Sequence, residues 1–150
     1  MTPKSAFPCI HPERVRFSEI DGQSIVFNAH YLTYADIGIT EYFRALGEGQ
    51  PGPFFYQYGG DIYAVHAELD YHASAKLDDV MDIATRISRI GRTSLTFHIA
   101  IFRGEDRLTD IRIIYALRSL DTGSALAIPA GFIADVRRYQ SQAPDMARSA

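Results

Sequence analysis

Behind Asn28 the apolar residues recur at spacings of three and four: Tyr31, Ala35, Gly38, Tyr42 and Leu46, with Leu32, Ile39 and Phe43 widening the stripe. That period predicts an amphipathic helix. The Asn28 side chain is suited to accept from free amides of a first turn, and Gly47 is a natural stop. Gly38 lies inside this helix at a cost of roughly 1 kcal/mol against Ala. Close packing of the helix on a flat surface, such as a sheet, would explain it. Beyond Asp61 the period changes to two. Tyr63, Val65, Ala67, Leu69 and Tyr71 alternate with Ala64, His66, Glu68, Asp70 and His72. Three more such runs follow, with Met81, Ile83 and Ile87, then Leu95, Phe97, Ile99 and Ile101, then Ile111, Ile113, Tyr115 and Leu117. Turns at 76–79, 91–92, 104–106 and 121–123 separate them. An earlier strand is predicted over residues 10–18, a loop with one helical turn over 48–60, and a short helix over 131–139.

The order is strand, long helix, then a run of long antiparallel strands, so the fold class is α+β with the helix covering one face of the sheet. One helix cannot shield the whole sheet, and its open edges call for pairing with a second copy. The 150 residues suit a single domain, with a core over about 10–139 and loosely ordered ends. Hydrophobic residues make up 47% and charged residues 22%, which excludes a disordered chain. The net charge of −3 comes without a basic stripe, so nothing points to nucleic acid. No apolar run is long enough to span a bilayer and no secretory leader is visible. Cys9 stands alone, which points to a reducing, cytoplasmic setting.

The densest candidate chemistry lies in residues 15–31, VRFSEIDGQSIVFNAHY. An acid a few residues ahead of a helix can aim its carboxylate at a carbonyl that the helix N-terminus polarises, a hydrolytic arrangement in outline. Asp21 is the sharpest candidate; Asp before Gly is also favoured in turns whatever its function. Glu19 reads as structural or peripheral. His66, Glu68, Asp70 and His72 share one strand face, but no matching ligand set stands elsewhere, so a solvated or subunit-facing surface outweighs a metal site. Arg92, Thr93 and Ser94 follow Gly91 between two strands; they form either a plain turn or a hold for phosphate oxygens. A serine-nucleophile elbow, a phosphate-binding loop and a dinucleotide fingerprint are all missing.

These residues, in this order, resemble the 4-hydroxybenzoyl-CoA thioesterase branch of the hotdog-fold superfamily. The likeness is carried by Val15-Arg16-Phe17, Glu19-Ile20-Asp21, Ile25-Val26, Asn28-Ala29-His30-Tyr31, Asp36 and Tyr42-Phe43. It continues through the strand 68–71, the turn 75–79, Gly91-Arg92-Thr93-Ser94, Asp121-Thr122-Gly123 and Pro129. Ser24 stands where the family usually has Gly, and Ile25 replaces the common His. The resemblance implies a hotdog fold, a curved antiparallel sheet wrapped around one long central helix, and a homodimer or homotetramer with acyl-CoA at the subunit interface. It implies an acyl-CoA thioesterase that needs no cofactor or metal and acts on a small, medium-chain or aromatic acyl group carried by CoA or by an acyl-carrier protein. Asp21 would be nucleophile or general base, the Asn28 backbone N–H would polarise the thioester carbonyl, and Arg92, Thr93 and Ser94 would lie near CoA. The aromatic residues 54–58 would line the acyl pocket. Two rivals share the fold: a hydratase or dehydratase, and a non-catalytic acyl-CoA or acyl-carrier binding module.

Overall fold

A computed structural model of the chain describes residues 1–47 and 54–147. The elements are β1 (Cys9–Arg14), α1 (His30–Leu46), β2 (Gly60–Tyr71), β3 (Val80–Ile90), β4 (Ser94–Arg103), β5 (Asp106–Ser119), α2 (Ala130–Tyr139) and β6 (Asp145–Met146). The strands form one sheet in the order β1-β3-β4-β5-β2, each neighbour antiparallel, and β6 pairs parallel with the end of β3 that β1 leaves open. The single long helix and the antiparallel run are therefore as expected.

Helix α1 turns Tyr31, Tyr34, Ala35, Gly38, Ile39, Tyr42 and Phe43 into the core. Opposite them β3 and β4 present Ile83, Ile87, Phe97 and Ile99, all fully buried. The reason for Gly38 is explicit. A Cβ there would stand 2.5 Å from Thr85 Oγ1 and 2.6 Å from the Ile83 Cγ2 methyl. The helix backbone thus rests directly on β3, with residues 83 and 85 facing it and residues 84 and 86 facing away.

The face away from α1 is not bare. Phe7, Ala84, Ala100 and Phe102 form a small cluster on it. The first eight residues, expected to be loose, are pinned there: Lys4 Nζ reaches Asp82 Oδ2 at 2.8 Å, and Arg107 donates to the Thr2 carbonyl. Residues 142–147 are likewise held, through β6 and an Ala147 N–H to Ile90 carbonyl bond of 2.9 Å. Sequence periodicity cannot register such contacts, because single residues make them.

Two boundaries also differ from expectation. The first strand ends at Arg14, and residues 17–19 form a 3₁₀ turn closed by the Arg16 N–H donating to Glu19 Oε1 at 2.7 Å. The first turn of α1 starts at His30, Ala29 is its cap, and the Asn28 side chain makes no capping bond.

Candidate active site

The segment between β1 and α1 folds into a small hairpin of its own. The Phe27 N–H donates to the Glu19 carbonyl at 2.9 Å, the Asp21 N–H to the Ile25 carbonyl at 2.9 Å, and the Ser24 N–H to the Asp21 carbonyl at 3.0 Å. Ser24 sits at the tip with φ of 62°, in the left-handed region that favours glycine. The turn therefore keeps a glycine-type backbone despite its serine, at a cost of about 1 kcal/mol. Asp21 is half-buried, and its Oδ1 accepts from the Gln23 N–H at 2.7 Å. One carboxylate oxygen is thus fixed by the turn, and no protein donor among the described residues holds the other.

This hairpin is docked rather than dangling. The Val26 N–H donates to the Ala75 carbonyl at 3.0 Å, while the Ala75 N–H donates to the buried Tyr31 hydroxyl at 3.0 Å. Burial pushes the Tyr31 hydroxyl above its ordinary pKa, so it stays protonated. At the entry to α1 the His30 N–H closes a turn onto the Phe27 carbonyl at 3.0 Å. The two N–H groups inside that turn, Asn28 and Ala29, have no protein acceptor among the described residues, and both residues are exposed. They stand at the positive end of the 17-residue α1, where unpaired amides favour an oxyanion. Tyr71, the last residue of β2, donates its hydroxyl to the Asn28 carbonyl at 3.0 Å and packs edge-on against the Tyr31 ring. The sequence does not single out Tyr71, which is one more aromatic residue in an alternating run.

Asp21 and Asn28 therefore lie at one end of the sheet, the end where Val15 pairs with Asp79 ahead of β3. Arg92, Thr93 and Ser94 lie at the other, beyond the far end of β3. Their turn is tied down by the Leu117 N–H to the Thr93 carbonyl (2.9 Å) and the Ile128 N–H to the Arg92 carbonyl (2.8 Å), with the Arg92 side chain exposed. The 11 residues of β3, at about 3.3 Å each, put roughly 30 Å between the two groups. One protomer does not bring them together. The aromatic residues 54–58 are also distant from Asn28. Phe54 and Phe55 pack with Phe43 and Phe132 near the C-terminal end of α1.

The His66-to-His72 face of β2 points away from α1, and three of its four side chains have polar partners there. Glu68 lies 3.7 Å from His66 and 3.2 Å from Arg112, and His72 lies 2.9 Å from Asp110. Among the described residues no group of three or more His, Cys, Asp or Glu converges as a metal site, and no helix is long and apolar enough to cross a membrane.

A sequence pattern describing the thioesterase superfamily matches residues 23–109 of this chain. The match begins just after Asp21, so it rests on the helix and the sheet rather than on the acid. The acyl-CoA thioesterase YbgC of Haemophilus influenzae is 27% identical over 118 residues, 79% of this chain and 86% of that protein. The acyl-CoA thioester hydrolase YbgC of Escherichia coli O6:H1 is 29% identical over 97 residues, 65% of this chain and 71% of that one. Among solved structures, a thioesterase of Thermus thermophilus complexed with coenzyme A and Zn aligns with a TM-score of 0.77 at 20% identity, covering 91% of this chain and 97% of its own. A 1,4-dihydroxy-2-naphthoyl-CoA thioesterase from Synechocystis aligns at 0.74 and 15% identity, covering 86% and 95%. These structural likenesses establish the hotdog fold and nothing finer.

Proposed function

The chain belongs to the thioesterase superfamily, and from that premise we propose that it hydrolyses an acyl-CoA thioester with a small, medium-chain or aromatic acyl group to the free acid and CoA. The observation that carries the reading is the hydrogen-bonded unit joining the Asp21 hairpin to the unpaired amides at the start of α1. The thioester carbonyl oxygen would lie against the Asn28 N–H, where the helix end stabilises the negative charge that develops on attack. The free oxygen of Asp21 would either take the proton of an attacking water or itself attack the carbonyl carbon. In both cases the tetrahedral intermediate collapses with departure of the CoA thiolate, which leaves without needing a proton. Water attack gives the free acid at once, whereas attack by Asp21 leaves a mixed anhydride that a second water then hydrolyses, releasing the acid and restoring the carboxylate.

The reading requires two copies. Strand β2 is an edge 12 residues long, and nearly all of its side chains from Tyr63 to Tyr71 are exposed. The opposite edge is short and carries Pro12, which has no N–H to offer. Antiparallel pairing of two β2 strands about a two-fold axis would invert the partner. The partner's Arg92, the partner's Thr93 and the partner's Ser94 would then sit at the Asp21 end, within reach of an extended CoA. A homodimer, or a tetramer built from two of them, is the assembly that this supports.

The test is release of free thiol from a panel of acyl-CoA and acyl-carrier thioesters by the wild type and by Asp21→Asn. The expected result is a loss of at least about 100-fold in kcat with acyl-CoA binding and oligomer mass retained. Unchanged turnover would remove Asp21 from the chemistry. Saturable binding without turnover by the wild type would favour the binding module.

A further inference from the structure

The face of the sheet turned away from α1 holds a second constellation that the hydrolytic reading does not use. In one register row across β3, β4, β5 and β2 stand Arg86, His98, Arg112 and Glu68. Arg112 is paired with Glu68 at 3.2 Å, and His98 Nε2 lies 2.7 Å from Asp110 Oδ1. Arg86 is not so provided for. It is 6% exposed, and its Nε is sealed from solvent without a hydrogen-bond partner among the described residues. A guanidinium does not discharge in a protein, so a sealed Nε–H without an acceptor is costly.

The backbone adds a second arginine beside the first. Regular alternation would turn Arg89 toward α1, with Ile87. The ladder slips between Ile87 and Arg89, so Ser88 is the extra residue and Arg89 faces outward opposite Thr96. The bulge is held by Gln140, whose Oε1 accepts from the Ile87 N–H at 2.7 Å and whose Nε2 donates to the Ile87 carbonyl at 3.0 Å. Arg86, Arg89 and Arg112 all line a cavity of about 450 Å³, and among its described lining residues Asp145 is the one carboxylate. Thr2, Gln142, Ala143 and Asp145 wall it. The N-terminal wall is braced by the Lys4–Asp82 ion pair and by Phe7 packed on the His98 ring, 5.1 Å between centroids. The volume falls within the range of small-molecule sites.

We propose that this outer-face cavity binds a small phosphoryl or carboxylate oxyanion, with the Arg86 guanidinium as its principal donor and Arg89 as the second. The planar fork of Arg86 matches phosphoryl or carboxylate oxygens, and with Arg112 paired to Glu68 the two remaining arginines outweigh Asp145, which favours an anion. The site lies across the sheet from α1, so it is separate from the thioester chemistry and does not depend on it.

The probes are inorganic phosphate and malonate, added to wild type and to Arg86→Met at ionic strength matched with NaCl. Wild-type Tm is expected to rise by several degrees at saturation, and the rise is expected to vanish in Arg86→Met. Whichever probe acts at the lower concentration identifies the ligand as phosphoryl or dicarboxylate. In buffer without phosphate or carboxylate Arg86→Met is expected to melt at or above the wild-type temperature, because it removes a buried Nε–H that has no acceptor. A shift by neither probe, or equal shifts in both proteins, would overturn the proposal. So would a variant of lower Tm and reduced oligomer mass, since Arg86 would then be a subunit contact.

Discussion

The chemistry of single residues turns on which atoms their neighbours occupy. Asp21 has one oxygen held by the Gln23 amide and one that is not, which gives a carboxylate a fixed direction without neutralising it. Tyr71 holds the Asn28 carbonyl and so fixes the Asn28–Ala29 peptide, whose Ala29 N–H faces outward beside that of Asn28. Tyr71→Phe keeps the ring packing on Tyr31 and deletes only that bond. Its kcat is expected to fall about tenfold with KM within about twofold, measured by thiol release, since it disturbs only the geometry of the oxyanion donors. His98 makes a second residue-scale prediction. Burial pushes its pKa below the usual 6.5, against the pull of its bond to Asp110. The unfolded chain then binds a proton that the folded one does not, so stability is full above about pH 6.5 and is lost as pH falls toward the folded pKa. Asp110 is also shifted down. Burial would raise it, but hydrogen bonds from His98 and His72 and the charge of Arg107 outweigh that, so its contribution is lost only below about pH 4. Thermal melts from about pH 7.5 to 5 are expected to show a falling Tm, and His98→Gln is expected to flatten that slope. The turn that holds Asp21 is legible in the sequence because Asp before Gly just ahead of an amphipathic run is a local pattern. Tyr71 and Arg86 are not, because their roles depend on a partner 43 residues away in one case and on a missing partner in the other.

Elements follow their patterns where packing agrees and yield where it does not. The 3.6-residue stripe and the four alternating runs mark α1, β2, β3, β4 and β5 because burial on one face repeats over many residues. Gly38 reads from the sequence as a packing glycine, and the 2.5 Å approach of Thr85 shows the contact it serves. Gly38→Ala would gain about 1 kcal/mol of helix propensity but overpack the α1–β3 contact. A net loss of about 1–3 kcal/mol is expected in urea unfolding, with the m-value unchanged. The ends of elements are less legible. Asn28 has the right side chain for a cap, yet α1 starts one residue later than that cap would place it, since the Phe27–His30 turn sets the entry. The bulge at Ser88 leaves no mark in the sequence, because the slip is stabilised by Gln140, some fifty residues away.

At the scale of the whole molecule, the proposed thioester site needs a second copy of the chain. Its Asp21 and Arg92 groups stand at opposite ends of the sheet, and the long edge of β2 is open between them. Val65 on that edge is 56% exposed despite lying in the alternating core pattern. Val65→Arg is expected to leave the protomer folded by circular dichroism while shifting its mass toward monomer in light scattering. Acyl-CoA turnover is expected to disappear with the dimer. A variant that remains dimeric and active would place the subunit contact elsewhere.

The linear order of apolar and polar residues was enough to determine the α+β class, the long helix, the strand run and the acidic turn ahead of the helix, because each is a local periodicity or a local spacing. Three-dimensional contact alone decided that the first residues and the stretch up to Ala147 are pinned to the sheet, that Tyr71 reaches the helix entry, that the Arg86 Nε is buried without a partner, and that the Asp21 turn and the Arg92 turn lie at opposite ends of the sheet. Those facts come from pairs of residues far separated along the chain. Periodicity says which face a side chain takes, but not what it meets there.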